Sequence, residues 1–177
     1  AMYQAKMAGK NCYRYYSRAM DHAVERRVHM EQELRGAWER GELRLAYQPI
    51  FRTRDRRMVG VETLLRWQHP TLGTIPPSVF IEVAEKSGLI EVIGPKVLRA
   101  ACKEAAQWPA SREGEHLFVS VNVSPRQLRG GELPELVAQC LQDTGLPASR
   151  LHIELTETAV IGDEMVAAQL LDKLHRT

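Results

Sequence analysis

Two rhythms of apolar and polar residues alternate along the chain. Four stretches are nearly continuous apolar or alternate with period two: Leu43–Ile50, Met58–Trp67, Leu117–Ser124 and Leu151–Thr156. These are strand patterns. Between them, apolar residues recur every three to four positions, the helical rhythm. A first helix is expected from Ser17, an N-cap type, to about Arg40, with Met20, Val24, Val28, Leu34 and Trp38 on one face and Gly41 as C-cap. Further helices are expected over Ser78–Lys86, ended by Gly88, and over Ile90–Trp108, with Val97, Leu98, Ala101, Ala105 and Trp108 inward. Leu133–Thr144, capped by Gly145, and Asp163–His175 complete the set. Gln68–Pro77, rich in Gly and Pro, reads as a loop. Strand alternating with helix through short loops predicts a parallel α/β sheet.

The strands carry an anomaly. Met58–Trp67 is apolar enough for a strand buried on both faces, yet Glu62 sits in its middle. Alternation places Glu62, Leu64 and Arg66 on one face and Val61, Thr63 and Leu65 on the other. A buried carboxylate is costly unless paired or bound, and a Glu62–Arg66 ion pair is the plainest account. But the next strand puts Ser120, Asn122 and Ser124 on one face, and the last puts His152, Glu154 and Thr156 together. The first carries Gln48 on the face opposite Leu45 and Tyr47. Each strand is thus expected to deliver a polar oxygen near its C-terminal end. Two carboxylates and an amide from neighbouring strands suit a hard divalent cation. The alternative is that Asn122 caps the following turn and the glutamates pair with arginines.

Composition narrows the setting without deciding it. The 177 residues allow one ordinary domain with a sizeable core. A net charge of +2 argues against a DNA- or RNA-binding protein and leaves small anions open. Cys12, Cys102 and Cys140 have no metal-ligand spacing and read as reduced thiols, as in a cytoplasmic protein. No apolar run reaches about 20 residues, so no membrane span is expected in this chain, although an upstream membrane or sensor domain is compatible with it.

Four motifs fall in one order: Tyr47-Gln48-Pro49-Ile50, Glu62-Thr63-Leu64-Leu65-Arg66-Trp67, Asn122-Val123-Ser124-Pro125-Arg126-Gln127-Leu128 and Glu154-Leu155-Thr156-Glu157. In order and spacing the chain resembles the EAL-domain family from about Met20 to Thr177. The name-giving triplet is Glu-Thr-Leu here, and Thr63 is expected to face away from Glu62. The resemblance implies a TIM-like (β/α) barrel of which about the first half is present. It also implies a cyclic di-GMP phosphodiesterase of bacterial second-messenger signalling, using Mg2+ or Mn2+ to give pGpG. On that resemblance Glu62, Asn122 and Glu154 are metal ligands, with Glu62 and Glu154 catalytic. Arg66 contacts phosphate, Gln48 lines the substrate pocket and Glu157 positions a loop. A different class, a cyclic di-GMP receptor without catalysis, shares these motifs.

The ends of the chain carry further expectations. Residues 1–16, with Tyr3-Gln4-Ala5-Lys6 and Gly9-Lys10-Asn11, resemble the tail of a GGDEF (diguanylate cyclase) domain. Residues 17–41 would then be the linking helix and 42–177 the half-barrel. The family's Asp-Asp pair, lysine, further glutamate and glutamine fall beyond Thr177. The 177 residues alone are therefore expected to be inactive, with open sheet edges that offer a route to a homodimer. His69, which begins a polar loop, His116, which precedes a strand, and His152, set deeper than Glu154, are expected to be packed or solvated and not ligands.

Overall fold

The computed structural model describes residues 18–110, 116–155 and 172–174. The proposed GGDEF tail, Ser17, Thr156 and Glu157, and all but the end of the Asp163–His175 segment lie outside the described residues. Helix α1 spans Arg18–Leu34 and stops earlier than its apolar rhythm suggested. Gly36 takes a left-handed φ of +79°, and turns carry the chain through Gly41 into strand β1, Leu43–Phe51.

The strands that follow are β2, Met58–His69, β3, Gly73–Ile75, β4, Phe118–Val123, and β5, Leu151–Leu155. They form one sheet in the order β1-β2-β4-β5, with β3 paired to β2. β2 with β4 and β4 with β5 are parallel, as expected. β1 is antiparallel to β2, which corrects the expectation of a wholly parallel sheet. The reason is connection length. Six residues join β1 to β2, whereas a parallel pair needs a crossover of about a dozen or more. The same argument makes β3 an antiparallel return where a loop was expected.

The crossover from β2 to β4 carries helices α2, Pro77–Ser87, and α3, Ile90–Ala106; that from β4 to β5 carries α4, Pro125–Arg129, and α5, Leu133–Thr144. Gly88 and Gly145 cap α2 and α5 with φ of +84° and +69°, where a Cβ would be strained. The helices cover one face of the sheet. Trp67 is fully buried there, edge-on to Phe80 at 5.7 Å, and its indole N–H donates to Glu42 Oε2 at 3.1 Å. Val61, Val119, Val121 and Val123 join it, with Val97, Leu98 and Ala101 of α3 packed into the same core. β2 is therefore buried on one face only, not on both: Glu62, Leu64 and Arg66 are half-exposed.

One charged group inside this layer is compensated by carbonyls. The buried guanidinium of Arg150 donates to the carbonyls of Leu117 at 2.9 Å and Ala105 at 2.8 Å, tying the ends of α3, β4 and β5 together. Cys102 and Cys140 are buried free thiols, and burial pushes Cys102 up to about 12, so it stays protonated and unreactive at neutral pH. Among the described residues no helix is long and apolar enough to cross a membrane.

At the start of the parallel ladder Gly60 pairs with Phe118, and the Phe118 ring lies against Gly60 while stacking on His152 at 3.9 Å. A Cβ at position 60 would come within 2.5 Å of that ring. Gly60→Ala should therefore cost about 1–3 kcal/mol of stability, the range for overpacking a filled site. Urea unfolding measures it. An unchanged midpoint would mean that the ring swings aside freely.

Candidate metal and substrate site

Alternation and register build the site. On the face away from the helices, β1 contributes Gln48, β2 Glu62 and Arg66, β4 Ser120 and Asn122, and β5 His152 and Glu154. Gln48 pairs with Glu62, Glu62 with Ser120, and Ser120 with His152, in one row across four strands. The next row pairs Asn122 with Glu154. Gln48, Glu62, Asn122 and Glu154 are thus neighbours, with Arg66 further along β2, but not because each ends its strand. Glu62 is the fifth of twelve residues in β2, and the C-terminal end of antiparallel β1 lies at the opposite edge. Register, not strand ends, brings them level.

The two carboxylates are held by neutral donors. Asn122 Nδ2 donates to Glu62 Oε1 at 2.8 Å. Ser120 Oγ donates to Glu154 Oε1 in a short contact. Among the described residues Glu62 has no ion pair with Arg66, which excludes the plainer account of the buried charge. Four residues along a strand separate them by about 13 Å, and Arg66 Nη1 instead donates to the Leu65 carbonyl at 3.2 Å. Nor does Asn122 cap the following turn. Ser124 does, in a capping box with Gln127. Ser120 shared the predicted face with Asn122 but was not singled out; a serine one register step from a carboxylate was the available signal.

The donor set fits a divalent cation. Glu62 Oε2, Glu154 Oε2 and Asn122 Oδ1 accept no hydrogen bond among the described residues, so three hard oxygens from adjacent strands remain unengaged. No group of three His, Cys, Asp or Glu gathers among those residues. The set depends on its amide. His152 stacks on Phe118. His69, expected in a polar loop, instead ends β2, is buried, accepts the Thr71 and Leu72 N–H groups at Nδ1 and meets Glu33 at 3.3 Å through Nε2. The polar face is open. Two clefts among the described residues lie away from it: one of about 500 Å³ beside Glu85, Glu91 and Arg126, and an apolar one of about 520 Å³ beside Tyr47, Met58 and Trp108.

A mixed α/β sheet with this oxygen-bearing face is the architecture of a known family. The EAL domain model matches residues 31–177, and the chain belongs to the EAL-domain family. It is 44% identical over 176 residues to an uncharacterized signaling protein of Caulobacter vibrioides, covering 99% of this chain and 21% of that protein. It is 36% identical over 176 residues to MucR of Pseudomonas aeruginosa, a bifunctional diguanylate cyclase/cyclic di-GMP phosphodiesterase, covering 98% of this chain and 25% of MucR. A solved structure of the MucR phosphodiesterase in complex with c-di-GMP superposes with a TM-score of 0.77 at 37% identity, over 84% of this chain and 60% of that one. The chain thus spans between about a fifth and a quarter of these curated relatives, and its fold matches part of the barrel-like EAL architecture.

Thr63, between Glu62 and Leu64, faces the core as expected and is 3% exposed. Among the described residues its hydroxyl has no hydrogen-bond partner. Thr63→Val keeps the shape and removes an unpaired buried oxygen, so stability should rise by about 1–2 kcal/mol. Thermal or urea unfolding reads this out. A loss of stability would reveal a partner for the hydroxyl.

Proposed function

We propose that this chain is part of a cyclic di-GMP phosphodiesterase domain that hydrolyses the cyclic dinucleotide to linear pGpG with Mg2+ or Mn2+. One observation carries the reading: Glu62, Asn122 and Glu154 stand on adjacent strands with one oxygen each unengaged, on a face shared with Gln48 and Arg66. The similarity to the MucR phosphodiesterase supports the choice of substrate.

Glu62, Glu154 and the Asn122 amide oxygen would hold a divalent ion. When bound, such ions lower the pKa of a water and offset charge developing on phosphate oxygens. The protein's own part is positional. Asn122 and Ser120 orient the carboxylates, and Arg66 offers a planar fork suited to a phosphate. Gln48, exposed beside Glu62, can meet the substrate. Glu157 keeps its role as a loop-positioning residue in this reading. Residues 1–16 are read as a GGDEF tail, 17–41 as the linker and first helix and 42–177 as the half-barrel; the cyclase in MucR's name accords with a cyclase neighbour. A cytoplasmic setting accords with the free Cys102 and Cys140.

In the full-length protein, Glu62→Gln should lower kcat by more than about a hundredfold, because several kcal/mol of charge stabilisation depend on that ligand. Circular dichroism should stay native. Undiminished turnover would remove Glu62 from the site. Binding of cyclic di-GMP by the wild-type protein with no hydrolysis would identify a receptor instead.

The 177 residues alone should release no pGpG. Three protein oxygens leave about half of an octahedral Mg2+ shell to water, and a second ion has no further ligands among the residues named here. Among the described residues β1 and β5 each pair on one side only, so an isologous dimer through these edges is part of the reading. Sedimentation of the purified chain tests the dimer. Metal-dependent pGpG release, abolished by Glu154→Ala, would show that fewer ligands suffice.

A further inference from the structure

Asn122 is the last residue but one of β4, and its amide donates to Glu62 while its register partner is Glu154. What holds the end of β4 in place is therefore part of the site. Val123 is buried beneath the helices, and Ser124 begins the turn into α4. Ser124 Oγ accepts the Arg126 N–H at 3.2 Å and donates to Glu85 Oε1 at 2.8 Å. The Gln127 side chain accepts the Ser124 N–H at 3.1 Å. Arg126 then reaches back across the crossover. Its Nη1 donates to the Glu85 carbonyl at 3.0 Å, near the end of α2, and its Nε donates to Glu91 at 2.5 Å, in the first turn of α3.

Glycines make room for this arrangement. A Cβ at Gly88, between the two helices, would stand 3.2 Å from Arg126 Nη2, and one at Gly94 of α3 would overlap the Gln127 amide. The guanidinium spans the α2–α3 corner and the turn after β4, two segments nearly forty residues apart. Arg126 and Glu91 remain about half exposed, at 42% and 53% of their side-chain surface. An exposed ion pair adds little to global stability. Its two-point geometry constrains a position instead, which suits the fork of an arginine more than the point charge of a lysine.

We propose that Arg126 is a positioning residue for the metal-binding face: by fastening the β4–α4 turn to the α2–α3 corner it keeps Asn122 in reach of Glu62. This rests on the functional reading above, in which Asn122 and Glu62 share an ion. Residues that orient metal ligands from outside typically change metal affinity about ten- to a hundredfold when removed.

The test compares four forms of the full-length protein: wild type, Arg126→Ala, Arg126→Lys and Glu62→Gln. Mn2+ affinity is read from loss of the free-ion paramagnetic resonance signal, and stability from urea unfolding. Arg126→Ala should weaken Mn2+ binding about tenfold with an unchanged unfolding midpoint. Raising Mn2+ should restore most of kcat, and Arg126→Lys should recover part of the affinity. Wild-type Mn2+ affinity in Arg126→Ala, with affinity lost in Glu62→Gln, would overturn the positioning role and leave the functional reading intact. A loss of affinity that only follows an equal fall in the unfolding midpoint would make Arg126 merely structural. Equal, negligible affinity in wild type and Glu62→Gln would overturn the functional reading, and the positioning role with it.

Discussion

The parallel register of β2, β4 and β5 is the constraint on which everything else rests. It sets Glu62 opposite Ser120 and Asn122 opposite Glu154. Side chains alternate along a strand, so a slip of one residue would carry Asn122 into the core and bring Val121 or Val123 out to the polar face. The apolar side prevents that slip. Val119, Val121 and Val123 are each 5% exposed or less, in the core that α3 covers. Removing such side chains from water is worth about 1.5–3 kcal/mol apiece, so a register that exposed all three would not compete. Hydrophobic burial on one face thus fixes the polar geometry on the other.

The site face holds its charge without arginine. Glu62 and Glu154 each accept from a neutral side chain, and the nearest guanidinium on the same strand as Glu62 is aimed at a backbone carbonyl. Carboxylates arranged this way are oriented without being neutralised, which is what a cation site needs. Paired to arginine, the same groups would be satisfied and closed to a metal. Two arginines serve the frame. Arg150 joins three segments through carbonyls inside the core, and Arg126 joins two helical corners at its edge.

The entry to the barrel is organised separately. Glu33, Glu42 and the turns after α1 meet β2 through His69 and Trp67, so the helix that precedes the sheet is fastened to the far end of the strand that carries Glu62 and Arg66. Trp67 anchors this junction because its ring fills the core while its N–H reaches the carboxylate of Glu42.

By itself the sequence determined four of the five described strands and most helices, because period two and period 3.6 are local and each was set by the residues of one segment. It also determined the facing of Glu62, Thr63, Asn122 and Glu154, since alternation needs no partner strand. The ends of α2 and α5 were legible in Gly88 and Gly145 for the same local reason, and the early end of α1 was legible too, in Gly36, but masked by an apolar rhythm that ran past it. Only the tertiary structure decided which groups meet. The 2.8 Å contact of Asn122 with Glu62 spans sixty residues of sequence and arises from register between strands that a helical crossover separates. The Glu62–Arg66 pair that the sequence suggested was undone by distance along a rigid strand. The antiparallel β1 stood between the two: a six-residue connection dictated it, but its consequence, Gln48 level with Glu62, exists only once the sheet has formed.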